Sequence, residues 1–177
     1  MRPPVKPANP RRSGLIIAVS FAFAFLVLWV LVLRIIYGRV FNDLDAELGN
    51  RLKSVAATAS EGIDAASITA LLPGDESKPG YMELKSRLGR IARLNGLGRL
   101  SIIDAQNRNI VSTHGYTMGE KVPSAEADLN RVTEAWSGTA ASSRVYEISG
   151  AWFKSAYAPI YDKSGVPSAV ICADAAP

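Results

Sequence analysis

Residues 14–33 are twenty consecutive positions without a charged side chain, running Gly-Leu-Ile-Ile-Ala-Val-Ser-Phe-Ala-Phe-Ala-Phe-Leu-Val-Leu-Trp-Val-Leu-Val-Leu. As a helix rising ~1.5 Å per residue the run measures roughly 30 Å, the thickness of a bilayer's hydrocarbon core. A helix apolar on every face needs lipid or protein all round it. The rest of the chain therefore has to be read as something attached to a membrane helix.

Charge sets the expected orientation. Arg2, Lys6, Arg11 and Arg12 precede the span without an acid, whereas Arg34 and Arg39 alone follow it closely. Positive charge favours the cytoplasmic side, so the leader is expected inside and the bulk of the chain outside. In a bacterial cell that means an inner-membrane anchor with a periplasmic domain. A cleavable signal peptide also begins with basic residues, but its apolar core is usually ~7–15 residues and ends at a small-x-small site. This run is longer, and no such site follows Leu33. The chain has 20 Lys and Arg against 16 Asp and Glu, a net of +4. Residues 1–39 hold six of the basic residues and no acid, leaving the remainder with fourteen against sixteen. The basic excess thus sits at the membrane boundary, where anionic lipid is its partner. A nucleic-acid footprint would need a basic patch on the folded domain, and nucleic acid is not expected as a partner.

Beyond the span the helical pattern continues. Tyr37, Phe41, Leu44, Leu48, Leu52, Val55 and Ala59 recur at spacings of three and four, with Asp43, Asp45, Glu47, Arg51 and Lys53 on the other face. No proline interrupts, so the spacing predicts one helix over residues 14–60. Its outer stripe needs a partner, either this chain's own domain or the same helix of a second copy in a parallel homodimer. The expected division is a leader over 1–13, a transmembrane helix over 14–34, an amphipathic dimerisation helix over 35–62 and a domain over 63–177.

Gly62 ends the helix, and Asp64 is placed to cap a short one over 65–72. Pro73, Gly74, Pro79 and Gly80 mark a loop. Tyr81, Leu84, Leu88, Ile91 and Leu94 share the face of a third helix closed by Gly96. Its Lys85, Arg87, Arg90 and Arg93 read as a solvated face. From Arg99 the period changes to that of strands, at 100–103 and 110–113 around a turn. Ser124 is placed to cap a helix in which Leu129, Val132 and Trp136 share a face, stopped by Gly138. Three strands follow, over 142–148, 151–160 and 166–174, with turns at Ser149-Gly150 and at Asp162-Lys-Ser-Gly165. The expected class is α+β, a five-stranded antiparallel sheet with flanking helices.

Catalytic chemistry is sparse. His114 is the one histidine and Cys172 the one cysteine, so no nucleophile–base set or metal cluster can be assembled. Neither catalytic residue, metal nor cofactor is expected. Cys172 sits in an apolar run and reads as a small buried hydrophobe. A ligand pocket is the better expectation. On the strand from 151, Phe153, Ser155 and Tyr157 share one face while Trp152, Lys154 and Ala156 share the other. On the preceding strand Arg144 and Tyr146 alternate with Val145 and Glu147. His114, Arg144, Tyr146 and Tyr157 are accordingly the candidate binding residues, suited to a small anion such as a carboxylate.

A family resemblance joins these elements. Leu100, Ser101, Ile102, Ile103 and Asp104 with the Asn107-Arg-Asn109 turn, the stretch Lys154-Ser-Ala-Tyr-Ala-Pro-Ile-Tyr-Asp-Lys-Ser-Gly165, and Ala169-Val-Ile-Cys-Ala-Asp174 follow a long membrane-borne helix. The order resembles the PAS-like, Cache-type (PDC) extracytoplasmic sensor domains of bacterial histidine kinases, chemoreceptors and diguanylate cyclases, over roughly residues 34–174. The resemblance implies a non-enzymatic sensor that binds a small molecule between the curved sheet and its covering segments. It also implies a second membrane helix and a cytoplasmic output domain, either further along a longer chain or on a partner. A bitopic envelope scaffold without a ligand is the alternative, and a membrane-anchored hydrolase is weakened by the missing constellation.

Overall fold

The computed structural model describes residues 10–148 and 150–175. The leader up to residue 9 and Ser149 of the expected hairpin turn lie outside the described residues. Helix α1 (Pro10–Glu61) is unbroken, as its proline-free interior requires. It contributes to two compact units, Met1–Leu44 and Asp45–Pro177. In the first, the helix is long and apolar enough to cross a membrane, and none of its most apolar stretch is buried. Phe21, Leu26, Trp29 and Leu33 all stand exposed.

In the second unit, the outer part of α1 buries Leu52, Ala56 and Ala59, with Leu48 half-buried, on the domain's own core. From Leu48 onward the stripe therefore finds its partner within the chain. Ile63 follows as α1 ends before Gly62, and α2 (Ala65–Thr69) starts from Asp64, whose carboxylate accepts from the Ala66 N–H at 3.3 Å. It is shorter than the periodicity suggests, stopping before Leu71 and Leu72. After a 3-10 turn at Asp75–Ser77, α3 (Pro79–Asn95) begins with proline at its first turn and ends at Gly96, whose φ of 65° is the left-handed cap. Tyr81, Leu84, Leu88 and Ala92 form its buried face. Arg51 of α1 donates to the Asn95 carbonyl at 3.1 Å, placing a cation where the helix dipole is negative.

Strands β1 (Arg99–Ile103), β2 (Asn109–Ser112), β3 (Ala141–Ser142), β4 (Tyr146–Ile148), β5 (Ala151–Tyr161) and β6 (Pro167–Ala175) pair antiparallel. The sheet order is β2-β1-β6-β5-β3, with β4 also on β5. The expected strand over 142–148 is thus two pieces. Ser143 still donates its N–H to the Ser155 carbonyl at 2.8 Å while its hydroxyl accepts from the Ser155 N–H at 2.8 Å, and residues 144 and 145 leave the ladder. The expected helix from Ser124 is likewise divided into α4 (Pro123–Ala127) and α5 (Leu129–Trp136). Asp128 between them has φ −127° and ψ 45°, outside the helical region. Ser124 is not the cap; it lies one residue inside α4 and is buried.

The alternation expected for β5 holds. Ala156, Ala158 and Ile160 face the core shared with α1, α2 and α3. Tyr157 joins Ile103, Val170 and Cys172 in a second core under α4 and α5, with Val122, Ala125, Val132 and Ala135. Cys172 is fully buried there, and burial pushes its thiol pKa up, with the Asp174 carboxylate adding to the rise. The sheet therefore has two covered faces, one against the long helix and one against the short ones.

Candidate functional site

The face under α4 and α5 carries an unusual number of polar groups for a sheet interior. Because β1 and β6 are neighbours, Arg99 and Asp174 come into direct register. The Asp174 carboxylate, 1% exposed on its side chain, accepts from Arg99 Nε at 2.9 Å and is ion-paired with Nη2 at 2.8 Å. Its other oxygen accepts from the Ser155 hydroxyl at 2.5 Å and lies 3.2 Å from the Cys172 thiol. The Tyr146 hydroxyl hydrogen-bonds Ser155. The Arg99 guanidinium stacks 4.2 Å over the Tyr116 ring. Burial works against the charge on Arg99, but Asp174 more than offsets it and its pKa is raised. Burial also raises the Tyr146 phenol, helped by the negative charge of Asp174. A buried charge pair of this kind persists only where its remaining donors and acceptors are satisfied, and here serine, tyrosine and cysteine supply them.

At the edge of this network a cleft of 270 Å³ opens between the α4–α5 junction and residues 143–146. Its lining includes Asp128, Arg131, Ser143, Arg144 and Tyr146. Asp128 is the informative member. Its Oδ2 is buried without a hydrogen-bond partner among the described residues. Desolvation raises its pKa, Arg131 pulls the other way and Glu134 adds to the rise. A buried carboxylate oxygen left unpaired costs about 1–3 kcal/mol or more. Ser101 Oγ, on the same sheet face, and Trp136 Nε1, beside the second core, are also buried without partners.

The structure brings two of the four sequence candidates together. Arg144 and Tyr146 line the same cleft, Arg144 exposed and Tyr146 half-buried. Tyr157 lies in the core, its hydroxyl donating to the Ser124 carbonyl at 2.9 Å. His114 is exposed on the loop after β2 and is not among the residues lining the cleft. Arg99, Asp128, Ser155 and Asp174 are not among the candidate binding residues that the sequence suggests. Each is a polar residue in or beside an apolar segment, and a single such residue is ordinary. Only the pairing of strands remote in sequence makes them a cluster. Among the described residues no three His, Cys, Asp or Glu side chains converge as metal ligands would.

No protein-family model matches this chain. No curated protein matches it either. Solved structures do. The sensor domain of Escherichia coli DcuS superposes with a TM-score of 0.54 at 17% identity, covering 75% of this chain and 90% of that one. An extracellular ligand-binding receptor from Desulfohalobium retbaense gives 0.55 at 16% identity, covering 79% of this chain and 24% of the receptor. The sensor domain of the Vibrio cholerae histidine kinase DctB gives 0.51 at 14%, covering 79% and 57%. This chain thus spans about a quarter of the Desulfohalobium receptor and just over half of the DctB domain. All three are sensor or ligand-binding domains rather than catalytic ones. The fold of this chain is that of the PDC/Cache-type extracytoplasmic sensor domains.

Proposed function

We propose that the chain is the membrane-anchored sensor module of a signalling receptor, and that its ligand is a small molecule carrying both a carboxylate and a hydrogen-bond donor such as an ammonium group. The unpartnered buried Oδ2 of Asp128 carries this reading, because Asp128 lines a cleft together with Arg144, Tyr146 and the Glu134-paired Arg131. Such a cleft brings a carboxylate side chain and the exposed Arg144 together. A chemoreceptor domain of this fold, Campylobacter jejuni Tlp3, has been solved with L-valine at a TM-score of 0.50 and 9% identity. The membrane helix over 14–34, lipid around it, a cytoplasmic leader and a periplasmic domain complete the proposal. So does a parallel homodimer through the part of the 35–62 helix that precedes Leu48, where exposed Tyr37, Phe41 and Leu44 supply the apolar surface.

The test is a thermal-shift screen of the full chain in lipid nanodiscs against small amino acids, mono- and dicarboxylates and amines. A ligand at a hundred times its dissociation constant adds ~2.7 kcal/mol of stability. Arg144→Ala and Asp128→Asn should each abolish that gain for the compound found. A complete absence of shifts would favour the scaffold alternative.

A further inference from the structure

We infer that Lys154 and Asp45 form the joint through which the polar face of the sheet is coupled to the long helix. This rests on the proposed site lying on that polar face. Lys154 is an unlikely residue for the middle of β5: its side chain is 2% exposed, yet it points to the apolar face shared with α1. Burying an ammonium costs several kcal/mol unless it is paired. Its partner is Asp45 on α1, 24% exposed, with Nζ to Oδ1 at 2.7 Å.

The helix is shaped for this contact. Gly49, one turn after Asp45, is buried against β3 and β5. A Cβ there would lie 2.7 Å from the Ser142 hydroxyl and 3.0 Å from Lys154 Cε. Glycine in a helix interior costs about 1 kcal/mol relative to alanine, and here it leaves the groove along which Lys154 reaches Asp45. Three residues thus serve one contact.

The neighbour of Lys154 makes the contact informative. Successive side chains of a strand point to opposite faces. Ser155 therefore reaches the other side of the sheet, where it holds Asp174 and Tyr146. A rearrangement that moves Ser155 moves the adjacent Lys154 backbone with it, and Lys154 cannot leave Asp45 without stranding a buried charge. Residues 45–52 of α1 are then obliged to follow β5 or to lose the pair in one step. That is a two-position device rather than a continuously deformable contact.

The test needs no ligand, so its outcome is independent of whether the binding proposal succeeds. In the full chain in nanodiscs, Tyr146→Phe removes the hydroxyl that holds Ser155, and Ser155→Ala is the second perturbation should the first disturb folding. Hydrogen exchange by mass spectrometry is read over residues 45–56 of α1. Either variant should speed exchange there by about fivefold, the equivalent of one net hydrogen bond. In a Lys154→Met or Asp45→Asn background the same perturbation should leave that segment's exchange unchanged, while its effect on β4 and β5 persists. An equal response with and without Lys154, or no response in α1 at all, overturns the inference.

Discussion

Replacing Asp174 by asparagine changes almost no volume and therefore isolates the charge. The carboxylate now receives one hydrogen bond from Arg99 Nε and one from Ser155, with Arg99 Nη2 ion-paired at 2.8 Å. In Asp174→Asn one face presents an amide that either donates toward the guanidinium or turns its donors on Ser155. Removing one partner of a buried ion pair costs ~3–5 kcal/mol. Arg99 keeps 18% of its side chain exposed, so part of its charge can be rehydrated and about 2–4 kcal/mol is expected. The unit from Asp45 to Pro177 has about 130 residues, and ~2.1 cal/mol/K per residue gives an unfolding entropy near 0.28 kcal/mol/K. The loss then lowers the melting temperature by roughly 7–14 °C. Near-UV circular dichroism of the full chain in nanodiscs would follow it. A double variant, Arg99→Met with Asp174→Leu, should recover at least half of the loss, because apolar replacement of a buried pair is often neutral or stabilising. A fall below about 3 °C, or a double variant worse than the two singles combined, would refute the view that this pair is desolvated and held together by its network.

Other outcomes follow from the same packing. Asp128 has a raised pKa in the folded state, so between the ordinary carboxylate value and the raised one the native protein binds more protons than the unfolded chain. Stability should therefore fall as pH rises through that window, and Asp128→Asn should remove this slope and raise ligand-free stability at pH 7, measured by urea unfolding across pH 3–7. The single thiol, Cys172, is buried with a raised pKa. Its labelling by a maleimide at pH 8 should be limited by opening of the domain and accelerate with sub-denaturing urea; burst labelling of the native protein would contradict the placement. Leu88 is fully buried where α3 meets the sheet. Leu88→Ala should cost about 2–5 kcal/mol with an unchanged denaturant slope.

Much of the architecture was legible because it is written in local chemistry. Gly96 after an apolar helical stripe, Asp64 before a short one, and the Asp162 to Gly165 turn each encode a boundary by capping or turn geometry. In the turn, Asp162 Oδ1 accepts from the Ser164 and Val166 N–H groups at 2.8 and 3.0 Å, and Gly165 takes φ 77°. Where the expectation erred, tertiary demands overrode local ones. Ser124 looked like a cap, but α4 already begins at Pro123 and the Ser124 hydroxyl is buried beside the Cys172 thiol in the second core. Residues 144 and 145 looked like strand, but they leave the ladder beside the cleft lined by Arg144 and Tyr146.

What the sequence determined by itself was the membrane-length helix, the class of the domain and the alternation that sends Lys154 and Ser155 to opposite faces. These rest on periodicity and on neighbours within a few positions. The tertiary structure decided that Arg99 meets Asp174 across 75 positions and that Lys154 meets Asp45 across 109. It also decided that Asp128 and Arg144 line one cleft. The physical reason is that the worth of a charge depends on what surrounds it once water is gone, and strand order and register, which fix those surroundings, have no signature in any short stretch of chain.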